Sequence, residues 1–411
     1  MSAEPIVAVS AKPKFVRSRV TYSLYAYFCT FGWFMLGFSP CVPIIAQEQK
    51  ISNGQAGLIG PALALGLILG ALAINRATAS LGRKRVLFSA STILTVGLIG
   101  LLLSSSFPLT VAATFVCAFG AESIIASVLP GLAVHHQAMA PAALSEGAAI
   151  GAAAGLASPF LVGLSISAGW GWRVGISTTI VLLVIACLFL AGMPRVGALD
   201  GRRPPNAAHP SAARPSKTTG VFWLLWVACI CGIALEFSTL FWVPALFSER
   251  AGMSLGAAAS SASALVLGEL IARSISSRLS TRWTLRPLLL VALTVTALGW
   301  LIFWTASVPL VAIVGLFIAG LGIGPLQPLT AASLFSVSPG EETKAQSRIS
   351  IGQGIAIGTF PIVLGALSDV TGTFLAFLVI PALVILCAIM LVIATKKVHS
   401  APAPDSYVVA L

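Results

Sequence analysis

Four ionisable side chains of this sequence lie inside long apolar stretches, where a charge is costly and is retained mostly for function. Glu122 is the most isolated of them, because its neighbours Ala121 and Ser123 are small and no basic residue lies within a turn or two. Removal from water disfavours the charged form of a carboxyl group, so such a side chain can bind and release a proton. The pattern predicts that Glu122 binds protons; a neutral acid hydrogen-bonded between two helices is the structural alternative.

The other three side chains suggest recognition of a charged solute. Glu236 lies in the outer part of its apolar stretch near Phe237 and Trp242, and aromatic rings beside a carboxylate suit a ring-bearing or cationic molecule. Interfacial anchoring by Trp242 is the alternative. Glu269 and Arg273 are four residues apart, on one helical face and within pairing distance. A structural ion pair is favoured there, although an available arginine would also bind a carboxylate bidentately.

These residues are positioned by segments that are long and apolar enough to cross a lipid bilayer. The chain has 411 residues, of which 57% are hydrophobic and only 9% are charged. A soluble domain carries about 25% charged residues, and a helix needs roughly 20 apolar residues to cross the hydrocarbon core. The sequence therefore predicts an all-α membrane protein with twelve transmembrane helices, at 20–46, 54–75, 86–106, 109–132, 144–167, 173–194, 219–246, 254–276, 287–305, 308–333, 349–367 and 373–394.

Basic residues fall almost entirely on one side of these spans. Of the 24 Lys and Arg residues, all but Lys50, Arg173 and Arg250 belong to alternate gaps. Loops rich in Lys and Arg stay in the cytoplasm, so we expect a multi-pass protein of the cell (inner or plasma) membrane with both termini cytoplasmic. The net charge of +12 then reflects this bias and some attraction to lipid head groups. We expect no nucleic-acid partner, because no basic face with interleaved aromatic residues occurs.

A basic, proline-rich segment near the midpoint divides the chain. We expect a cytoplasmic N-terminal tail at 1–19, six-helix bundles at 20–194 and 219–397, a cytoplasmic linker at 195–218 and a cytoplasmic tail at 398–411. Short matches recur between the halves at a nearly constant offset, such as Ser106–Leu109 with Ser307–Leu310 and Ser158–Pro159 with Phe360–Pro361. Consistent spacing indicates a duplication and hence two pseudo-symmetric bundles.

Local motifs resemble those of the major facilitator superfamily. The turn after span 2, with Ala79 where the family motif has an acid, ends in Gly82, Arg83, Lys84 and Arg85. Trp170–Arg173 resembles the family's entry to span 6, and Ser368–Gly372 resembles the matching turn before span 12. The glycines and prolines of span 10, within Gly320–Pro328, resemble those of a flexible helix that lines the central cavity. The resemblance covers nearly the whole chain. It implies two bundles that rock about a site at the middle of the membrane, without cofactor or metal.

The resemblance also bears on individual residues. Sugar–proton symporters similar to fucose permease place a coupling carboxylate in span 4, where Glu122 lies, and carboxylate-transporting relatives use an arginine in span 8, where Arg273 lies. Tyr25 and Trp33 occupy span 1, where those symporters carry a partner acid. Polar residues in spans 10 and 11 are further candidates, although helix–helix hydrogen bonds explain them equally well. The predicted substrate-binding residues are Glu236, Trp242, Tyr25, Trp33, Gln327, Gln353, Arg273 and Glu269.

Glu146 and Arg348 lie at matching positions at the cytoplasmic mouths of spans 5 and 11. They are opposite in charge and belong to different halves, so one interpretation is a salt bridge between the bundles that closes a cytoplasmic gate when the outer side opens. Ordinary charge at the membrane surface is the alternative and is favoured, because exposed ion pairs contribute little.

These observations predict a secondary active transporter that moves a small organic solute by alternating access, coupled to protons as a symporter or antiporter. An organic-anion carrier or exchanger that uses Arg273 is one alternative, and drug or metabolite efflux by proton antiport is another. We expect a monomer whose partners are its substrate, protons and membrane lipids. No constellation of catalytic residues lies within the spans, so we expect no enzyme activity.

Overall fold

The computed structural model describes residues 16–136, 140–200, 220–279, 283–338 and 342–399. Twelve helices within these ranges are long and apolar enough to cross a membrane, which confirms the predicted number of spans and the all-α membrane fold. Most of the predicted N-terminal tail, most of the linker and nearly all of the C-terminal tail lie outside the described residues.

The helices are named α1 to α12 in chain order. In α1, Arg19–Phe38 continues through a 3-10 turn, Ser39–Cys41, into Val42–Gln49, and α2 joins Asn53–Gly57 to Ile59–Leu81. The first half is completed by α3 (Arg83–Leu102), α4 (Phe107–His136), α5 (Ala140–Ser167) and α6 (Gly171–Ala191), followed by a 3-10 turn at Gly197–Leu199. The second half contains α7 (Gly220–Arg250), α8 (Leu255–Leu279), α9 (Leu285–Thr305), α10 (Pro309–Ser336), α11 (Glu342–Thr371) and α12, which joins Thr373–Ala376 to Val379–His399.

The two halves pack their helices in the same order. In the first half α4 lies between α2 and α3, and α1 packs against α5 and α6. In the second half α10 lies between α8 and α9, and α7 packs against α11 and α12. The same four helix pairs therefore recur six helices later. The main contacts between the halves join α2 to α11 and α5 to α8.

These contacts between the bundles concentrate on one side of the molecule. The basic side is defined here as the side where α1 begins and α12 ends, and the opposite side as the other. On the opposite side a Cβ at Gly163 of α5 would lie 2.4 Å from the carbonyl oxygen of Gly256 of α8, so only glycine permits this crossing. The hydroxyl group of Ser263 also donates to the carbonyl of Leu156 across the same contact.

A second contact closes the opposite side where α2 begins and α11 ends. The backbone N–H groups of Asn53 and Gly54 donate to the carboxylate of Asp369, each at 2.7 Å. The amide group of Asn53 also donates to the Ser368 hydroxyl at 3.1 Å. The opposite side is thus closed by polar and small-residue contacts, and the space between the bundles widens towards the basic side.

Candidate functional site

A cavity of about 830 Å³ lies between the bundles and extends to Trp283 in the turn between α8 and α9, on the basic side. Its two walls differ in chemistry. The wall from the first half is apolar and is formed by α1 and α5, with Phe28, Phe31, Gly32, Met35, Leu36, Ala148, Gly151 and Ala152. The hydrogen-bonding and charged side chains among the described lining residues come from the second half, namely Glu236, Arg273, Ser276, Trp283, Gln327 and Gln353.

The polar wall centres on an ionic cluster formed by Glu236, Glu269 and Arg273. Arg273 donates from Nη2 to Oε2 of Glu236 at 3.0 Å, and the same nitrogen lies 3.4 Å from Oε2 of Glu269. The exposed fraction of the side chain decreases along the cluster, from 38% for Arg273 to 13% for Glu236 and 2% for Glu269. Arg273 and Glu236 therefore face the cavity, whereas Glu269 lies behind them.

The sequence of α10 explains how Arg273 is held in place. Pro328 has no N–H, so the carbonyl group of Gly324, four residues earlier, lacks its helical donor. Arg273 Nε donates to this carbonyl oxygen at 3.0 Å. Gly324 also has no side chain, and a Cβ there would lie 2.6 Å from the Cα of Glu269. The glycine and proline of α10 thus bring α8 close and supply an acceptor for the guanidinium group.

The cluster differs from the sequence-based prediction in one respect. Glu269 and Arg273 were predicted to pair with each other, and they do lie within pairing distance. Glu236 was placed in the outer part of its span, but it is near the middle of α7 and is the nearer partner of Arg273. Since α7 and α8 are separate helices that pack together, sequence spacing alone cannot reveal this pair.

One atom of the cluster has no hydrogen-bond partner among the described residues. Oε1 of Glu269 is fully buried and unpaired, although buried polar atoms are nearly always satisfied. The cluster combines one guanidinium group with two carboxyl groups, so it is electrically neutral only when one carboxyl group carries a proton. It is therefore suited to exchange a proton or a small charged group with the cavity.

Glu122 lies in a different place. It is partly buried on the side of α4 that faces α2, and a Cβ at Gly70 of α2 would lie 3.1 Å from its own Cβ. It does not belong to the residues that line the cavity. Within the described part of the chain, it has no hydrogen-bond or ion-pair partner. Its isolation from basic groups agrees with the sequence, but its position separates it from the ionic cluster.

Gln327 and Gln353 line the cavity, whereas three aromatic residues predicted to bind substrate do not. Trp242 is fully buried and donates from Nε1 to the carbonyl of Pro361 in α11 at 2.9 Å. The hydroxyl group of Tyr25 donates to the carbonyl of Ala143 at 3.1 Å, near the basic side. Trp33 is buried, and its indole nitrogen has no hydrogen-bond partner among the described residues. None of the three rings lines the cavity in this structure, and their role in substrate binding stays a prediction.

Glu146 and Arg348 have other partners in this structure, and a bridge between them when the outer side opens stays a prediction. Glu146 instead forms an ion pair with Arg17 at 2.8 Å and accepts a hydrogen bond from Tyr25 at 3.2 Å. The hydrogen bond from Arg17 to Glu146 and the negative charge of Glu146 raise the pKa of Arg17. Arg348 lies over the rings of Phe222 and Trp223 in its own half. The bundles are separated on this side, so each charged residue finds partners within its own bundle.

The loop motif Gly82–Arg85 acts within the first half. Gly82 has a φ of 82°, a left-handed conformation that favours glycine between α2 and α3. Arg83 donates to the carbonyl of Ala198, and Lys84 donates to that of Ala191 at 2.8 Å. Arg85 is exposed. The motif therefore holds the segment that follows α6, and cations next to a helix C-terminus are favourable.

Two features of the site were missed. Phe28, Phe31 and Met35 form the apolar wall, and their spacing of three and four residues along span 1 was a signal that they share a helical face. Asp369 was noted only as part of a turn motif. An acid at the end of a helix is unfavourable there, which was a signal that its charge is used by another element.

No group of three or more His, Cys, Asp and Glu side chains suited to a metal ion occurs in the described ranges. Twelve apolar helices in two bundles, with a cavity between them that has one apolar and one polar wall, define a multi-pass membrane protein with a transporter-type fold. The sequence model described as Major Facilitator Superfamily matches residues 23–284 and 258–407, and the chain belongs to this superfamily. No curated protein matches its sequence.

Several solved structures share the fold over nearly their whole length. A bacterial homolog of the human lysosomal transporter Spinster, inward-facing and occupied, is 15% identical, with 96% of this chain and 100% of that chain covered and a TM-score of 0.73. The nucleoside transporter NupG is 12% identical, with coverages of 92% and 98% and a TM-score of 0.71. A D-xylose–proton symporter is 14% identical, with coverages of 93% and 98% and a TM-score of 0.70. At these identities the likeness establishes the fold alone.

Proposed function

We propose that the protein is a proton-coupled secondary active transporter that moves a small amphipathic organic solute by alternating access. The observation that carries this proposal is the ionic cluster of Glu236, Arg273 and Glu269 in one wall of a cavity whose facing wall is apolar. A solute with a charged end and an apolar body satisfies both walls. Burial of its apolar part against Phe28 and Phe31 supplies binding energy, while the cluster selects its charge.

Alternating access is supported by the difference between the two sides of the molecule, of which one is open and the other is closed. The cavity reaches the basic side, whereas the opposite side is closed by the Asp369 hydrogen bonds and the crossing at Gly163. These contacts are few and polar or small, so they can separate as rigid bundles rock. We propose that the basic loops lie in the cytoplasm, which would make this structure the inward-open state.

The proposed proton coupling is supported by the charge of the cluster. A solute cation that binds Glu236 supplies the missing positive charge, so it competes with the proton and favours antiport. A solute carboxylate that binds Arg273 adds a negative charge, so it favours uptake of a proton together with the solute. Glu236 is the proposed coupling acid, since it faces the cavity. Glu122 is retained as the second proposed proton site.

The test begins with a thermal-shift panel of amphipathic amines, carboxylates and zwitterions, because a bound solute stabilises the protein by mass action. Solutes that stabilise the protein are then assayed in proteoliposomes with a proton-sensitive dye inside. We expect transport driven by a pH gradient that Glu236→Gln abolishes. Transport that ignores the pH gradient would disprove coupling, and loss of coupling in Glu122→Gln but not in Glu236→Gln would move the role to Glu122.

An organic-anion carrier is the second candidate, favoured by the accessible guanidinium group of Arg273. A substrate carboxylate would replace Glu236 on this group, and planar bidentate binding is specific to arginine. This candidate predicts transport that competing carboxylates inhibit and that Arg273→Lys weakens sharply. Transport of amines that carboxylates do not inhibit would exclude it.

A further inference from the structure

A second cavity, of about 1060 Å³, lies outside the central one, where α1 begins and α6 ends on the basic side. We name it the α1/α6 groove. The mouth of the groove, at its end nearest the basic side, contains Ser18, Arg19 and His135. Its walls are mainly apolar, with Tyr22, Ala26, Cys29, Ile150, Leu188 and Phe189. We propose that this groove binds one anionic phospholipid from the membrane leaflet on the basic side.

The depth of the groove matches one leaflet. From Ser18 to Cys29 the groove follows α1 for eleven residues, which is about 16 Å at 1.5 Å per residue. The hydrocarbon core of a bilayer is about 30 Å thick, so half of it is about 15 Å. An acyl chain that enters beside Ser18 would therefore end near Cys29.

The walls of the groove are open to the membrane rather than to the protein core. Tyr22 is 55% exposed, Leu188 69% and Phe189 55%, and all three line the groove. Large apolar side chains on the outer surface of a transmembrane helix contact lipid. A concave apolar surface at this depth is thus filled by a chain of the bilayer.

The charge at the mouth of the groove selects the head group. Arg19 is exposed and forms no ion pair with any described residue. Glu146, an acid of α5 near the basic side, is paired with Arg17. His135 and Ser18 are joined through Nε2 and Oγ at 2.6 Å and add polar groups beside Arg19. The mouth therefore carries an uncompensated positive charge, and guanidinium binds phosphate bidentately.

The experiment uses the full chain in detergent and measures the binding of dioleoyl-phosphatidylglycerol and dioleoyl-phosphatidylcholine by native mass spectrometry, with thermal shifts as a second readout. We expect tighter binding of phosphatidylglycerol. Arg19→Gln should weaken it by roughly tenfold, as expected for loss of a charge-assisted hydrogen bond, and leave phosphatidylcholine unchanged. Phe189→Ala should weaken both lipids equally, because it removes only chain contacts.

Arg286→Gln is the matched control, since Arg286 is exposed on the same side but in the second half. It should bind both lipids as the unmodified chain does. Equal affinity for the two lipids, or full phosphatidylglycerol affinity in Arg19→Gln, would overturn the proposal. Equal stabilisation by inorganic phosphate would also overturn it, because that result would indicate a site for soluble anions. Proper folding of each variant is checked by its thermal midpoint in phosphatidylcholine.

Discussion

The carboxylate of Asp369 in α11 caps the first turn of α2 from the other bundle, with Gly54 N–H donating to Oδ2 at 2.7 Å. The N-terminus of a helix has unsatisfied N–H groups and partial positive charge, so it binds an anion well. A Cβ at Gly54 would lie 2.7 Å from Oδ2 of Asp369, so glycine allows the carboxylate to approach without a shift of its side chain. One residue thus links the bundles where the cavity is closed.

We expect Asp369→Asn to shift the protein towards a state that is open on the opposite side. The change removes the charge and one acceptor, which destabilises the state closed on the opposite side by on the order of 1–2 kcal/mol. The ratio of the closed to the open population then falls about tenfold. Spin labels at Trp170→Cys and Leu375→Cys, one in each bundle, would report a longer distance. Glu249→Gln, an exposed acid on the same side, is the control. An unchanged distance distribution in Asp369→Asn would contradict the assigned role.

Arg273→Ala should lower stability by about 2 kcal/mol, because it leaves two carboxyl groups without their cation in a partly buried site. Adding Glu269→Gln should restore part of this loss, since it removes the deepest uncompensated charge. A double-mutant cycle on thermal midpoints measures the coupling. Strictly additive losses would show that Glu269 and Arg273 do not interact energetically.

Pro328→Ala supplies an N–H that can bond to the carbonyl of Gly324 and so compete with Arg273. We expect the free energy of unfolding to stay the same or rise. Solute affinity should fall several-fold, because Arg273 loses a hydrogen bond of about 1 kcal/mol that holds its guanidinium group in position. Pro325→Ala is the matched control in the same helix, because Arg273 donates to the carbonyl of Gly324 and not to that of Leu321, the residue four before Pro325. Equal effects of the two substitutions on solute affinity would argue against the Gly324 acceptor.

Trp242→Phe tests whether this ring packs helices or binds substrate. The substitution removes the hydrogen bond to Pro361, and we expect it to destabilise the protein by about 1–2 kcal/mol. Solute affinity should not change, because Trp242 does not line the cavity. A loss of affinity at unchanged thermal midpoint would instead restore Trp242 to the substrate site.

The spans could be predicted because hydropathy and length are local properties that the bilayer imposes on each segment. The candidate site was predicted in part. Glu269 and Arg273 share a helical face by spacing alone, whereas the closer pairing of Arg273 with Glu236 depends on how α7 packs against α8. The same limit applies to Glu146, which was matched to Arg348 by symmetry but pairs with Arg17 because the bundles are apart on that side.

By itself, the sequence determined the class of protein, the number of spans, the duplication and the side that carries the basic loops. The class and the spans follow from composition and hydropathy along each segment. The basic side follows from the alternation of Lys and Arg between the spans, and the duplication from matches between the two halves. Only the tertiary structure decided that Glu236 is the nearer partner of Arg273, that Glu122 faces α2, and that Trp242 and Tyr25 contact helices rather than the cavity. Contacts between helices depend on the rotation of each helix about its axis and on the angle at which two helices cross. Small residues such as Gly324 and Gly163 allow two helices to approach closely, and this approach depends on both helices, so it cannot be predicted from one segment.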